Sequence, residues 1–416
     1  MSIPSTPTPH LSVSPLERRA VTNHTPAALV LADGRVFRGT AFGAIGRALG
    51  EAVFTTGMTG YQETMTDPSY CRQLVCATAP HIGNTGWNDE DNESSDSTIW
   101  VSGVIIRDLS ARPSNWRSQR SLEEEMIAQG IVGIKNVDTR ALVRHLRDKG
   151  SLNAGIFTGR DATAPVDDLV AIVNDVPPMA GRTLSEDVST TEPYVVEPEV
   201  STTKGSGLTV VAYDMGIKTN TPRNFAQRGI TTVVVPANTP FEEIQKYNPD
   251  GVFISNGPGD PSTADEMVDI VRQVLAAKIP FFGICFGNQI FGRALGLETY
   301  KLKFGHRGIN VPVIDVETGQ VSITAQNHGF ALLPPHHSHD TPNTINAGEL
   351  SASFDTPFGP AHVTYICPND NVVEGVALDD GRAFSVQYHP EAAAGPHDAN
   401  PLFDQFVTLM QEGKTK

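Results

Sequence analysis

The chain has 416 residues, long enough that one hydrophobic core would not hold it, so two domains are expected. Its 47 acidic against 31 basic residues leave a formal charge of −16, a surface that repels nucleic acid and anionic membrane alike. Cys71, Cys76, Cys285 and Cys367 do not make a disulfide framework or a zinc spacing, and no apolar stretch or signal-peptide core suggests a membrane, so a cytoplasmic protein is expected.

The first 26 residues hold five prolines among Ser and Thr and few large apolar groups, and are expected to form a disordered extension. Residues 27–176 read as a glycine-rich mixed domain. Its conspicuous segments are Thr55-Thr56-Gly57-Met58-Thr59-Gly60-Tyr61-Gln62-Glu63, Ala79-Pro80-His81-Ile82-Gly83-Asn84 and Val137-Asp138-Thr139-Arg140-Ala141-Leu142. Gly43, Gly46 and Gly50 lack the Lys-Ser/Thr ending of a phosphate loop, so no ATP site is assigned there. The acidic run Asp89-Glu90-Asp91-Asn92-Glu93 reads as a solvated loop. Residues 177–206 mix Pro, Ser, Thr, Glu and Gly without periodicity and read as a connector.

From 207 to 416 the pattern becomes alternating strands and helices. Leu208–Tyr213 and Thr231–Val235 are short β-branched runs of the buried parallel kind, with a helix from Thr221 to Arg228 between them. Gly251-Val252-Phe253-Ile254 leads into Ser255-Asn256-Gly257-Pro258-Gly259-Asp260-Pro261, by itself a Gly/Pro turn, or else a rigid loop whose Gly257 amide could meet an oxyanion. The stretch Asp265–Lys278 carries a helical apolar stripe that packs on a sheet. Gly283-Ile284-Cys285-Phe286-Gly287 follows an apolar run and precedes a helix expected over Asn288–Leu295. Small residues two positions either side of Cys285 allow a sharp strand-to-helix turn, and a helix N-terminus favours a thiolate. On the pentapeptide alone, a buried structural cysteine fits equally well. Farther on, His336-His337-Ser338-His339 lacks a spaced carboxylate or cysteine partner and reads as a polar loop, so no metal site is assigned. In Phe384-Ser385-Val386-Gln387-Tyr388-His389-Pro390-Glu391, two-residue spacing on an extended segment puts His389 and Glu391 on one face. A histidine there could exchange a proton with Cys285 while the carboxylate sets its tautomer.

The segments around Gly257, Cys285 and His389, in this order, resemble the triad-type (class I) glutamine amidotransferases, as do Leu302–Gly308 and Ile323–Phe330. The segments of 50–142 are similar to the small subunit of carbamoyl phosphate synthetase, over roughly residues 27–410. The implied fold is α/β: a class I amidotransferase domain at 207–416 with a mostly parallel open sheet, preceded by a smaller mixed α/β domain. The resemblance implies Cys285 as nucleophile, His389 as base and acid, and Glu391 as its orienting carboxylate. It implies glutamine contacts at Gly57, Gly257, Gly259, Phe286, Gln289, Asn327, Gly329 and Phe330, with the Gly257 and Phe286 amides on the oxyanion. It further implies hydrolysis of L-glutamine and transfer of ammonia to a separate large subunit, in a heterodimer, that makes carbamoyl phosphate from bicarbonate and ATP for arginine and pyrimidine synthesis. No cofactor is expected on this chain, and ATP and Mg are expected on the large one. Relatives more often carry His where Asn288 stands, and some carry Ser at Gly57. An amidotransferase serving another synthase and a non-catalytic scaffold subunit are the competing readings.

Overall fold

The computed structural model describes residues 25–199, 204–335 and 353–415. Most of the expected N-terminal extension and the His336–His339 cluster lie outside them, and Pro26, assigned to that extension, already opens a strand. Contacts divide the chain into two units, Met1–Met179 and Ala180–Lys416. Among the described residues, no helix is long and apolar enough to cross a membrane.

In the first unit seven strands close into a barrel, in the order Pro26–Leu31, Val36–Gly43, Val132–Lys135, Gly103–Ile105, Gln73–Ala77, Arg47–Thr55 and Leu152–Thr158. The last pairs back onto the first. The opening strand is apolar throughout because both of its faces are covered. Ala27, Leu29 and Leu31 enter one core cluster, while Ala28 and Val30 join Leu169 and Val173 of the helix Val166–Asn174 in another. The motif at 137–142 is a helix start: Asp138 caps Thr139–Lys149 by accepting from the Ala141 amide at 3.0 Å, and Leu142 and Leu146 enter the first of those clusters.

The acidic run at 89–93 is a loop, solvated at Asp89 and Glu90 as expected but anchored at its far end. Arg117 pairs with Glu90 and Asp91, Arg120 pairs with Asp89, and Asn92 and Glu93 are buried. Gln62 donates to the Asn88 carbonyl and to Asn92 Oδ1, tying the run to the helix Tyr61–Thr66. Arginines 24 or more residues downstream supply the counter-charge, which local composition does not reveal.

Among the described residues the second unit is built on one sheet of 11 strands. Its centre is the expected parallel set, in the order Thr231–Pro236, Thr209–Asp214, Gly251–Ile254, Phe281–Ile284 and Ala383–Val386. Beyond Ala383–Val386 it continues antiparallel through Val373–Leu378, Val321–Leu332, Thr299–Asp315, Gly359–Ile366 and Phe354–Thr356. The sheet is thus less parallel than the sequence pattern suggests, because Thr299–Asp315 and Val321–Leu332 pair along their length as one long hairpin. Alternate residues of the central strands feed two apolar layers. Val211 and Tyr213 pack with Val271, Val274 and Leu275 of the helix Asp265–Ala276. Val210 and Ala212 pack with Phe225 of Asn220–Gln227 and with Phe403 and Phe406 of Leu402–Thr415.

The stretch read as a connector folds largely onto this unit. Tyr194–Val196 pairs antiparallel with Thr231–Pro236, the Thr190 amide donates to Asp214 at 2.8 Å, and the Gly181 amide donates to Asp260 at 2.7 Å. Only three residues form the strand, too few for its alternation to stand out in the sequence.

Candidate active site

Phe281–Ile284 ends in Cys285, whose φ of 55° and ψ of −99° turn the chain directly into the helix Phe286–Ala294. A side chain at positive φ is strained, and here three backbone bonds hold it. The Cys285 amide donates to the Val386 carbonyl at 2.8 Å, the Gln289 amide to the Cys285 carbonyl at 3.2 Å, and the Gly287 amide to the Ser255 carbonyl at 3.1 Å. The flanking glycines are required by contact. A Cβ on Gly287 would lie 2.3 Å from the Ile254 carbonyl oxygen, and one on Gly283 would lie 2.7 Å from that of Gly287. The helix therefore begins two residues earlier than the sequence predicts, with Cys285 at its N-terminus.

Parallel pairing of Ile284 with Val386 brings the adjoining strand's end beside the cysteine. Three residues on stands His389, its amide bonded to the Ala325 carbonyl at 2.9 Å. His389 Nδ1 donates to Glu391 Oε1 at 2.6 Å. Among the described residues Nε2, which is buried, makes no such bond to oxygen or nitrogen, which leaves it for the cysteine. Burial, the largest influence, and the Lys218 charge both lower the His389 pKa; the Glu391 carboxylate and Cys285 outweigh them, so that it is pushed up to about 10. For Glu391 burial acts to raise the pKa, but His389 and Lys218 hold it below the usual carboxylate range. Lys218 Nζ lies 3.6 Å from Glu391 Oε1, and the Glu391 carbonyl accepts from Asn220 Nδ2. Cys285, His389 and Glu391 are all nearly inaccessible to solvent. A thiol beside a charged, carboxylate-held imidazole is suited to nucleophilic attack on a carbonyl carbon.

Around this group the remaining expected residues fall as follows. Cys285 Sγ reaches the Asn327 carbonyl at 3.6 Å. Gln289 is buried and donates to the carbonyl of Phe330 at 2.9 Å and to Gln387 Oε1 at 3.1 Å, so its amide group is already engaged. Phe330 carries Lys301 Nζ 5.0 Å over its ring, and Gly329 leaves room for Arg307, whose Nη2 would lie 3.2 Å from a Cβ. The Gly257 and Phe286 amides donate no hydrogen bond among the described residues, as an oxyanion site requires. A Cβ on Gly257 would meet the Met215 carbonyl oxygen at 2.2 Å, and Gly259, at φ 97°, packs on the Arg182 carbonyl. Gly57 stands in the first unit, beside a small cavity lined also by Met58, Tyr61, His81 and Asn84.

Asn288 is wholly buried, accepting from Ser385 Oγ at 2.8 Å and donating to Gln387 Oε1 at 3.2 Å. It braces the helix against the neighbouring strand. Sequence reasoning missed this network and also missed Lys218. The one available signal for Lys218 was its place just after the strand Thr209–Asp214, at the carboxyl edge where open sheets bind ligands.

Residues 29–156 match the family model of the carbamoyl-phosphate synthase small chain, CPSase domain, and residues 211–409 that of glutamine amidotransferase class-I. The carbamoyl phosphate synthase small chain of Corynebacterium diphtheriae is 67% identical over 393 residues, covering 94% of this chain and 99% of that protein. The chain belongs to the carbamoyl phosphate synthase small chain family. The small chains of Corynebacterium glutamicum, 66% identical over 94% of this chain and 95% of that protein, and of Mycobacterium tuberculosis, 63% identical over 92% and 98%, place it there equally. Membership in the small-chain family sets aside service to a different synthase. The glutamine amidotransferase match spans the strands and loops that carry Cys285, His389 and Glu391.

Proposed function

We propose that Cys285, His389 and Glu391 hydrolyse glutamine and that the ammonia passes to a large-chain partner. The Cys285 thiolate attacks the side-chain amide carbon, and the oxyanion is met by the Gly257 and Phe286 amides. His389 Nε2–H protonates the departing nitrogen, so that ammonia leaves and a Cys285 thioester remains. His389 then takes a proton from water, hydroxide attacks the thioester, and glutamate departs as the thiolate re-forms. Gly259, Gln289, Asn327, Gly329 and Phe330 are assigned to holding glutamine. Ammonia released into bulk water would be protonated and lose its nucleophilicity, which favours direct passage to a large chain that makes carbamoyl phosphate from bicarbonate with ATP and Mg. A cytoplasmic heterodimer serving arginine and pyrimidine synthesis fits this reading, with the first unit as docking face.

The observation that carries the reading is the cysteine at positive φ on a helix N-terminus together with a buried histidine whose Nδ1 is held 2.6 Å from a carboxylate. Cys285→Ser, assembled with the large chain, should lose glutamine-dependent synthesis by about 10³-fold or more while ammonia-dependent synthesis persists. Wild-type use of glutamine by this variant would refute the assignment.

A further inference from the structure

Beside the strand that carries Asn327 and Phe330 lies a second, partly buried polar cluster that the triad chemistry does not use. Its centre is His306, which sits directly opposite His328 in the long hairpin. His306 Nε2–H donates to Asp370 Oδ2 at 2.8 Å, and Nδ1–H is shared between Gln326 Oε1 at 3.0 Å and Glu374 Oε1 at 3.2 Å. A carboxylate within reach of each ring nitrogen favours a His306 that carries both protons. Burial opposes that charge most strongly, but Asp370 and Glu374 prevail and push its pKa up to about 10. The His328 ring packs edge-on against it, with centroids 4.9 Å apart. Burial first, and the His306 charge second, drive the His328 pKa well below its ordinary value. His328 Nδ1 lies 2.8 Å from the Phe330 carbonyl and Nε2 3.0 Å from Gln326 Oε1, so the single ring proton of a neutral His328 ties the ring to one of these two oxygens. The Phe330 carbonyl also receives Gln289 Nε2–H.

Residues two apart on a strand share a face, so Gln326 and His328 both turn toward His306, and holding both fixes the peptide of Asn327 between them. The Asn327 carbonyl is the one that meets Cys285 Sγ. We propose that His306, clamped between Asp370 and Glu374, is a positioning residue for glutamine: through Gln326 and His328 it sets the Asn327 peptide and the Phe330 carbonyl where the substrate seats. The inference rests on the glutamine hydrolysis proposed above.

His306, Cys367 and Glu374 also place ligand atoms within 4.8 Å of one another. A doubly protonated His306 has no lone pair for a metal, so the cluster is closed by protons instead. The other groups that bear on it are the Tyr300 and Tyr388 hydroxyls and Arg307, through their fields on Asp370, Glu374 and His328.

The test uses the chain assembled with its large subunit. His306→Asn should raise KM for glutamine about tenfold or more while kcat stays within about threefold and ammonia-dependent synthesis is unchanged. Asp370→Asn keeps the shape and removes one of the two carboxylates that raise the His306 pKa, so His306 loses its proton at lower pH. Wild-type KM for glutamine should therefore be flat from about pH 7 to 9, whereas in Asp370→Asn it should climb across that range. If His306→Asn does not assemble, the Asp370→Asn pH profile decides. The proposal is overturned if both variants keep KM within about twofold with a wild-type pH profile, if the loss falls equally on ammonia-dependent synthesis, or if the enzyme retains stoichiometric zinc at this cluster. Failure of the glutaminase reading would look different: Cys285→Ser would then use glutamine normally.

Discussion

His389 has two charges pulling its proton in opposite directions: Glu391 holds it, and Lys218, close to the same carboxylate, weakens that hold. A base that must give its proton to ammonia and later regain one from water works best when neither pull is absolute. His389→Asn removes the proton carrier and should lower glutamine-dependent kcat by about 10²–10⁴-fold. Glu391→Gln keeps the shape but gives up tautomer control and charge stabilisation, so its loss should be smaller, with KM for glutamine little changed. Steady-state kinetics of both variants would decide, and a worse Glu391→Gln, with both proteins folded, would reverse the assigned roles. The His-x-Glu spacing was legible because strand geometry is local. Lys218 was not, because it approaches Glu391 only through the ordering of two strands far apart in sequence.

At the scale of the element, the turn at Cys285 owes its shape to backbone contact. Because Gly287 lies against the Ile254 carbonyl, Gly287→Ala cannot be absorbed by a side-chain rotation, and the helix Phe286–Ala294 must move. Displacing a nucleophile by about 1 Å costs about 10²-fold in rate. Gly287→Ala should therefore lose about that much glutamine-dependent activity while leaving ammonia-dependent synthesis alone, and near-normal glutamine turnover would show that the close approach does not matter. The glycine spacing announced a sharp turn, yet the helix starts at Phe286 rather than Asn288, because Cys285 itself adopts the positive φ that the sequence pattern would sooner assign to a glycine.

The second unit begins at Ala180, within the stretch 177–206 expected to be a connector, rather than at 207. The difference matters because residues 180–199 contribute an edge strand, a hydrogen bond to Asp214 and a brace on the Gly257–Pro261 loop through Gly181, Arg182 and Asp260. Each such bond is worth about 1 kcal/mol, and about 1 kcal/mol shifts the midpoint of a domain of this size by about 2–4 °C. A fragment of residues 180–416 should melt at least about 5 °C above one of residues 207–416 in a calorimetric comparison. Equal midpoints would return the segment to the status of a linker.

Chemistry carried by short spacing could be read from the sequence alone. The turn glycines, the His-x-Glu pair, the β-branched parallel strands and the apolar stripe of Asp265–Ala276 each depend on residues within a few positions, where chain geometry fixes what can meet. What only tertiary structure decided depends on strand order and register. Parallel pairing of Ile284 with Val386 brings His389 to Cys285, and the hairpin register sets His306 against His328, where burial keeps His328 neutral while Asp370 and Glu374 hold the charge on His306 against burial. Two histidines alike in sequence acquire opposite charge states because one has a carboxylate within hydrogen-bond reach of each ring nitrogen and the other, fully buried, has only a backbone carbonyl and an amide oxygen that close, a difference that exists only once the strands are laid side by side.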